Sequence, residues 1–520
     1  MRLPLEYPSF FIRSQEDNRF LKMLVSIILA LGLAVLLIWL LSRPFYWAGK
    51  GIKYLTPKPI VGNFGQISKG LMALNESLYN AFPEEKLYGL HVYLTPGIFI
   101  RDPDLMVDVC IKDYDHFTDN GLGSNQETDL TGGNLLFLHG QQWKEVRGKV
   151  SPFFTPMKIK AMLSSVDVTL PKAVKVLDEA IRIGEPCNQP EFLNQIVNDV
   201  ITQAVFGIES DVYEEDSKFK PLASIFFSPK TNLMFTVKNF SRTVFKLLKL
   251  QSFDKDAALF LEGIVRDLMD YRNKNNIQGH DFVQGMMDIM EKHGNKGNGT
   301  VEYFPDGTRK PKYDFDEMFL HAFIIFLGGV ESTATTMTWL FYELAKNQEV
   351  QDRCREEVME VVESKGRHPT LDDVNELPYI TAVIKEAVRM YPAFVLMSRV
   401  CTKTYTFKEH NLTLYPGQVV VFPSTSVQRD PKYFPDPNTF IPDRFMGEEP
   451  RTGLISTFGL GPKLCLGKSF ANYEMLLVVT RLLQKYRFKI SQKTQVPLIP
   501  HPTRPINCPS TTLWLDVSHV

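Results

Sequence analysis

One cysteine of the chain lies in a loop whose composition suits a metal-binding thiolate. The loop reads Phe458-Gly-Leu-Gly461-Pro-Lys463-Leu-Cys465-Leu-Gly467. A thiolate that must sit against a flat macrocycle needs a backbone without bulk around it, and Gly461 and Gly467 provide that freedom. Phe458 can pack beside the sulfur and limit access of water, and backbone N–H groups can hydrogen-bond the thiolate. A structural cysteine buried in a turn is the ordinary alternative, but the spacing F-x-x-G-x-x-x-C-x-G favours a ligand to haem iron.

A second set of residues lies in a helix predicted from about Asp314 to Asn347. It carries the run Gly328-Gly329-Val330-Glu331-Ser332-Thr333. Two adjacent glycines inside a helix cost about 1 kcal/mol each relative to alanine, so a purely structural helix has little reason to contain them. Their missing side chains make room for a macrocycle and dioxygen, and they let the helix loosen locally. The carboxyl and hydroxyl groups that follow can relay protons, which is general-acid work. A well-packed core helix with incidental polar residues is the alternative.

These segments resemble the cytochromes P450, and the resemblance covers essentially all of residues 50–520. The Cys465 loop matches the haem-binding signature of that family, and Glu386-Ala-Val-Arg389 matches its E-x-x-R pair. The sequence is most similar to the microsomal animal type, particularly the insect xenobiotic-metabolising (detoxification) branch. The most telling stretches are Asp113-Tyr-Asp-His-Phe117, Lys149-Val-Ser-Pro-Phe-Phe-Thr155 and Tyr271-Arg-Asn-Lys-Asn-Asn-Ile277.

The resemblance implies a haem b cofactor and assigns residues to it. Cys465 is then the axial ligand of the iron. Trp143 and Arg147, four residues apart on one helix, and Arg399 are then contacts of the anionic haem propionates. Lys463 stands where the family normally has a propionate-binding Arg or His, so a bidentate contact becomes a point charge. The other cofactor contacts that the resemblance implies are Gly328, Gly329, Phe458, Gly461 and Gly467.

The E-x-x-R pair has a structural role in the family. Glu386 and Arg389 share one helical face, and in the family such a pair locks onto the arginine of a later P-x-R-F segment, here Arg444. Two positions depart from the family pattern. Ser332 replaces the usual threonine, which keeps the hydroxyl but loses the β-branch that fixes its rotamer, and Gln428 replaces a common histidine. We therefore expect oxygen activation to be retained with looser coupling, so that more peroxide is released.

The elements that must position these residues are mainly helical. Most of the chain after residue 63 has helical periodicity, and residues 290–312, rich in Gly, Asn and Lys, are predicted to form a loop. Short β-like runs lie near 90–94, 98–100, 405–414 and 418–422. No internal repeat or interdomain linker is found. The prediction is one haem-thiolate monooxygenase domain over residues 64–520, with the mainly α fold and small β-sheets of the cytochromes P450.

The N-terminus carries a predicted transmembrane anchor. Residues 23–41, which follow a tail at 1–22, form a run of 19 residues without a charge, and a helix needs about 20 apolar residues to cross a bilayer. A cleaved signal peptide is the alternative, but bulky residues rather than small ones follow the run. A basic, Pro- and Gly-containing connector at 42–63 comes next. Its positive charge predicts a cytosolic catalytic domain on the endoplasmic reticulum membrane, and the six scattered cysteines agree with a reducing compartment.

Partners follow from charge and from what the chain lacks. The net charge of −1 gives no hint of nucleic-acid binding, which needs a basic excess. No Rossmann fingerprint follows a predicted strand, so electrons must come from a separate protein. The resemblance implies an NADPH-dependent flavoprotein reductase, so that NADPH is used indirectly, and it allows cytochrome b5 as a second donor. Residues 222–253, which mix apolar and basic side chains, are expected to dip into the membrane interface, with ordinary amphipathic helices as the alternative.

The expected function is insertion of one atom of O2 into a lipophilic substrate, either a xenobiotic or an endogenous lipid or steroid. Glu331, Ser332 and Thr333 are the expected catalytic residues, and the predicted pocket is apolar. Its lining is taken from residues 122–138, Phe323, Phe326 and residues 393–396. Two alternatives stay open. One is a P450-like peroxide isomerase, which needs neither O2 nor a reductase and has no use for a proton relay. The other is a membrane-tethered haem-binding protein without turnover.

Overall fold

Helices dominate the structure, which is a computed structural model. It describes residues 22–27, 30–32, 34, 42, 45–65, 70–124, 126–222, 225, 228–240, 242–294, 302–502, 504 and 506–520. The helices of the first half are α1 (Leu71–Tyr79), α2 (Pro103–Val107), α3 (Gly140–Val150), α4 (Pro156–Met162), α5 (Ser165–Ile183), α6 (Gln189–Phe206), α7 (Phe219–Leu222), α8 (Pro229–Phe240), α9 (Arg242–Leu247) and α10 (Lys255–Asn275). Those of the second half are α11 (Phe282–His293), α12 (Phe315–Lys346), α13 (Gln348–Lys365), α14 (Pro378–Met390), α15 (Ser424–Gln428) and α16 (Lys468–Lys485).

Three small sheets accompany the helices. One has the order β1 (Leu87–Val92), β2 (Thr95–Ile100), β7 (Val419–Phe422), β4 (Met397–Val400), with β2 and β7 parallel and the other pairs antiparallel. A second has the order β3 (Cys187–Asn188), β9 (Trp514–His519), β8 (Tyr486–Ile490), and β5 (Tyr405–Phe407) pairs with β6 (Leu412–Leu414). The predicted run at 405–414 is therefore a hairpin of two strands. Asn411, between them, takes a left-handed backbone conformation that lets the chain turn.

The central helix α12 matches its predicted bounds within one residue at each end. It begins after Asp314, whose carboxylate accepts a hydrogen bond from the backbone N–H of Glu317 and so caps the helix. In length and composition α12 could cross a membrane, but 72% of its most apolar window is buried, and it packs against α6, α11 and α14. It is therefore the core helix of the domain, and its glycines do not interrupt it.

The structure differs from the prediction at one loop boundary, and it describes the predicted anchor only in part. The loop predicted at 290–312 begins later, because α11 continues to His293. Of the predicted anchor, residues 23–27, 30–32 and 34 are helical and the remainder lies outside the described residues, so the anchor stays a prediction.

The segment predicted as a connector packs into the domain. Trp47 is buried and its indole N–H donates to the carbonyl of Leu90, 2.9 Å away, in β1. A Cβ atom at Gly89 would lie 2.7 Å from the Trp47 ring, so this strand needs glycine to receive the indole. Tyr54 also pairs with Gly89. The residues that follow the predicted anchor are therefore held on the sheet.

A buried ion pair joins α14 to the segment ahead of the cysteine loop. Glu386 and Arg389 are both fully buried and form a two-pronged pair with N–O distances of 2.6 and 2.8 Å. Arg389 also donates to the carbonyls of Gln428 and Pro437. Arg444 reaches the same carboxylate at 3.4 Å, so the predicted three-residue arrangement is present. A buried charge pair is tolerated only when its remaining polar atoms are also bonded, and these contacts meet that condition.

Gln428 connects this pair to the cysteine loop. Its amide donates to the carbonyl of Arg389 at 2.8 Å, while its amide oxygen accepts from the backbone N–H of Ser456 and from the Thr457 hydroxyl. The side chain is fully buried. An amide can donate and accept at once, so this replacement of the common histidine keeps a link on both sides.

We expect Glu386→Gln to lower the free energy of unfolding by about 3–5 kcal/mol, because it leaves the Arg389 charge buried without a counter-ion. Denaturant unfolding of the full chain measures the change. The control is Glu179→Gln, which breaks a solvent-exposed pair with Arg182 and should leave the unfolding midpoint unchanged. Equal midpoints for Glu386→Gln and the native chain would contradict the account.

Candidate functional site

Cys465 differs from the other five cysteines of the chain, because it is exposed and they are buried. Its backbone N–H donates to the carbonyl of Phe458 at 2.8 Å, which closes the loop. The protein around its other sides raises the pKa of the thiol by burial. The backbone N–H groups of Gly467 and Lys468 and the charges of Arg147 and Lys468 oppose that rise. The loop therefore presents one accessible sulfur with donors that favour the thiolate.

The glycines of this loop have different roles. Gly461 has φ +68°, and a Cβ atom there would lie 2.0 Å from the carbonyl oxygen of Cys110, so only glycine fits. Gly467 has φ −87° and open space around its Cβ position. The structure therefore shows a backbone need for glycine at Gly461, and the role of Gly467 beside a macrocycle stays a prediction. Gly459, which the sequence analysis did not single out, also has a positive φ of 85°.

Two arginines predicted as cofactor contacts hold the loop from either side. Arg147 of α3 donates to the carbonyl of Leu464 at 2.9 Å, and Arg399 of β4 donates to that of Leu460 at 3.3 Å. Lys463 places its ammonium 3.5 Å from the centre of the Trp143 ring, a cation–π contact. The structure thus brings together Trp143, Arg147, Arg399 and Lys463, which lie far apart in the sequence.

The cluster of positive charges at this site favours the binding of an anion. Burial, together with the nearby charges of Arg399 and Arg147, lowers the pKa of Lys463 to about 7, and the charge of Asp119 partly opposes this shift. The pKa of Arg147 is also lowered by burial. The Nε atom of Arg399 is buried and has no hydrogen-bond partner among the described residues. A dianionic group with carboxylates, such as haem with its two propionates, fits this cluster of cations.

The predicted relay residues lie on one stretch of α12. Glu331 is buried, and burial raises the pKa of its carboxyl to about 7, while the charge of Arg504 acts in the opposite direction. The Ser332 hydroxyl donates to the carbonyl of Gly328, 2.7 Å away, and Thr333 is buried. A carboxyl that titrates near neutral pH can both accept and release protons there. Sequence reasoning did not find Arg504, because no local motif marks it.

The two glycines of α12 face different surroundings. A Cβ atom at Gly328 would meet nothing within 4 Å, whereas one at Gly329 would lie 2.9 Å from Cδ1 of Ile201 on α6. The predicted role of making room therefore fits Gly328. Gly329 instead allows α6 and α12 to approach closely, a packing role that the sequence pattern does not reveal.

The predicted pocket residues separate into two groups. Phe323 packs edge-on against Phe253, which stacks on Phe137 from the segment 122–138. Phe326 instead packs against Phe206 and Phe219 and is fully buried in the helical core. The first group joins α12 to the segment before α3, and a place for it in the pocket stays a prediction. Phe326 has its aromatic contacts with α6 and α7 instead.

Comparisons with known proteins agree on one family. The family profile described as cytochrome P450 matches residues 52–513. The chain is 30% identical to "Probable cytochrome P450 6a13" of Drosophila melanogaster over 87% of this chain and 90% of that protein. It is 27% identical to "Cytochrome P450 6B1" of Papilio polyxenes over 95% of this chain and 99% of that protein. The resemblance to the cytochromes P450, and to their insect branch, is confirmed.

In the haem-free protein, we expect Gly328→Ala to raise the free energy of unfolding by about 1 kcal/mol, because alanine favours the helix and its Cβ meets open space. Gly329→Ala should gain less, since its Cβ presses on Ile201. Denaturant unfolding compares both. In an Ile201→Val background, which lacks the close methyl group, Gly329→Ala should recover the gain. Equal gains for the two alanine variants in the native background would contradict the assignment.

Proposed function

This chain belongs to the cytochrome P450 family, and we propose that it is a membrane-anchored monooxygenase that inserts one atom of O2 into a lipophilic substrate. The cytochromes P450 are haem-containing monooxygenases. The observation that carries the proposal is the exposed Cys465, set in a loop that two arginines hold and that a cluster of cations surrounds. Without a bound anion, those buried like charges would repel one another.

The residues around Cys465 fit a haem. Cys465 would ligate the iron, and Trp143, Arg147, Arg399 and Lys463 would hold the propionates. Bound haem supplies the iron at which O2 is activated with the help of the electron-rich thiolate. The backbone N–H groups near the sulfur favour its anionic form.

Glu331, Ser332 and Thr333 would supply protons on the opposite side of the cofactor. The carboxyl of Glu331 exchanges its proton near neutral pH. The Ser332 hydroxyl is engaged with the carbonyl of Gly328 and must rotate to pass a proton on. Gly328 leaves open space where a Cβ atom would stand. A peroxide isomerase needs no proton relay, so the presence of these groups favours the monooxygenase.

A lipophilic substrate agrees with the rings beside this stretch of α12. Phe323, Phe253 and Phe137 form a continuous aromatic wall. Apolar walls select for apolar ligands and give little discrimination among them. Both a xenobiotic and an endogenous lipid or steroid therefore remain within the proposal.

The proposed location is the cytosolic face of the endoplasmic reticulum membrane. Besides the predicted anchor, α8 and α9 expose large apolar side chains, Leu233, Val244, Leu247 and Leu248, with Leu247 75% exposed. Lysines accompany them in this segment: Lys230 pairs with Asp254 and Lys246 with Glu127. Such a surface suits contact with the membrane interface.

Electrons would come from NADPH through a separate flavoprotein reductase, with cytochrome b5 as a second donor. Basic residues near Cys465, such as Lys463 and Lys468, are candidates for steering an acidic partner. Lys463 is turned onto Trp143 and burial lowers its pKa, so it is not available to a partner. Lys468, at the start of α16, is exposed and keeps that proposed role.

The proposal is tested with the full chain, an NADPH-dependent reductase and a panel of lipophilic compounds under isotopically labelled O2. Label in one product oxygen, with NADPH consumed, supports a monooxygenase. Rearrangement of an organic peroxide without NADPH would support the isomerase instead. Bound haem without either reaction, across the panel, would support a haem-binding protein without turnover.

We expect Cys465→Ser to abolish the red-shifted Soret band that a thiolate ligand produces in the reduced carbon monoxide complex, since a hydroxyl does not replace the thiolate. Product formation should be lost as well. The control is Cys187→Ser in β3, a buried cysteine that should leave the band unchanged. A red-shifted band that survives in Cys465→Ser would assign the ligand to another residue.

We expect Ser332→Thr to release about half as much hydrogen peroxide per NADPH as the native chain. The β-branch of threonine restricts the hydroxyl rotamer, and a preference of about 0.5 kcal/mol changes a partition by roughly a factor of two. Ser332→Ala, which has no hydroxyl, should release more peroxide than either. Equal peroxide yields from the native and threonine chains would rule out the rotamer as the cause.

A further inference from the structure

The loop that leads into β9 brings a cation to the relay carboxyl. Nη1 of Arg504 lies 3.8 Å from Oε1 of Glu331 and also contacts the sulfur of Cys508 at 4.0 Å. The family resemblance assigned no residue of this loop, and Arg504 belongs to none of the motifs around Cys465. Its position beside the acid of α12 makes it a candidate for a role in the same chemistry.

The backbone around Arg504 is tied to the rest of the domain. The indole N–H of Trp339 on α12 donates to the carbonyl of Asn507 at 2.5 Å, and the backbone N–H of Asn507 donates to the carbonyl of Ala393 at 3.0 Å. On the other side, the backbone N–H of His501 donates to the carbonyl of Cys508 at 2.7 Å. These hydrogen bonds attach the loop to α12, and they hold Arg504 close to Glu331.

The carboxyl of Glu331 is asymmetric. Its side chain is 8% exposed; Oε1 faces Arg504, whereas Oε2 is buried with no hydrogen-bond partner among the described residues. Arg504 is the charged group that acts on this carboxyl, while Cys508 and His501 are the other titratable groups beside the pair. A separation of 3.8 Å is an ion pair without a close hydrogen bond, so the carboxyl is attracted but not locked.

We propose that Arg504 is a positioning residue for Glu331: it holds Oε1 towards the C-terminal loop and leaves Oε2 as the oxygen that exchanges protons. The assignment rests on the proposed function of Glu331 in proton relay. A guanidinium stays charged at every working pH, so the attraction ends only when Glu331 takes up a proton. Proton uptake thus releases the carboxyl from Arg504, and the half-exposed arginine, at 44%, has room to move.

The first test reads the carboxyl directly. In the full-length holoenzyme, the infrared C=O band of protonated Glu331 is identified by its absence in Glu331→Gln and is followed against pH. Arg504→Gln removes the opposite charge, so the carboxyl should stay protonated to higher pH and its midpoint should rise by about one unit. Arg504→Lys keeps a positive charge and should restore most of the native midpoint.

The second test uses coupling. Arg504→Gln should change the pH profile of peroxide released per NADPH in the native background but have no further effect in the Glu331→Gln background, since the partner is gone. Arg451→Gln, which breaks an exposed pair with Asp104, is the matched control and should shift neither readout. A midpoint that is the same in the native chain and in Arg504→Gln would overturn the inference.

The two levels of failure can be told apart. If the native holoenzyme oxygenates substrates but its Glu331 band is unaffected by Arg504→Gln, the positioning role fails and the proposed function stands. If the native holoenzyme neither consumes NADPH with its reductase nor incorporates oxygen, the proposed function fails. In that case a shifted infrared midpoint would still establish the ion pair, without a role in oxygen chemistry.

Discussion

The buried pair of Glu386 and Arg389 is the interaction on which the rest of the site depends. Two charges removed from water are tolerated only when their remaining hydrogen-bonding atoms are also satisfied. Here Arg389 donates to the carbonyls of Gln428 and Pro437, and the guanidinium of Arg444 pairs with Glu386, so all three groups meet at α14. The segment ahead of the cysteine loop has little regular structure of its own, so these bonds determine its course.

The position of the cysteine loop follows from that arrangement. Gln428 carries the constraint from α14 to the backbone at Ser456, and Arg147 and Arg399 donate to two carbonyls of the loop itself. The same arginines, with Lys463, form a site of concentrated positive charge. Like charges at close range destabilise an empty protein and stabilise an anionic cofactor. Holding the loop and binding the propionates are therefore coupled, because the same guanidinium groups do both.

Near Glu331, neighbouring residues of α12 have different roles, some in packing and some in the proposed chemistry. Gly329 serves the close approach of α12 to Ile201 on α6, whereas Gly328 leaves open space where a side chain would begin. Burial raises the pKa of Glu331 to about 7 against the opposing charge of Arg504. The working range of the acid is thus set by two distant parts of the chain, one through desolvation and one through charge.

The sequence by itself determined the thiolate loop, the relay segment and the core helix α12, because each depends on residues close together in the chain. The spacing of Phe458, Gly461 and Cys465 and the helical run that includes Glu331 are local patterns. Only the tertiary structure decided that Gly461 packs against the carbonyl of Cys110 and that Lys463 rests on Trp143. It also decided that Arg504 faces Glu331. Those facts depend on distances between residues far apart in the sequence, and no local pattern of residue types encodes such a distance.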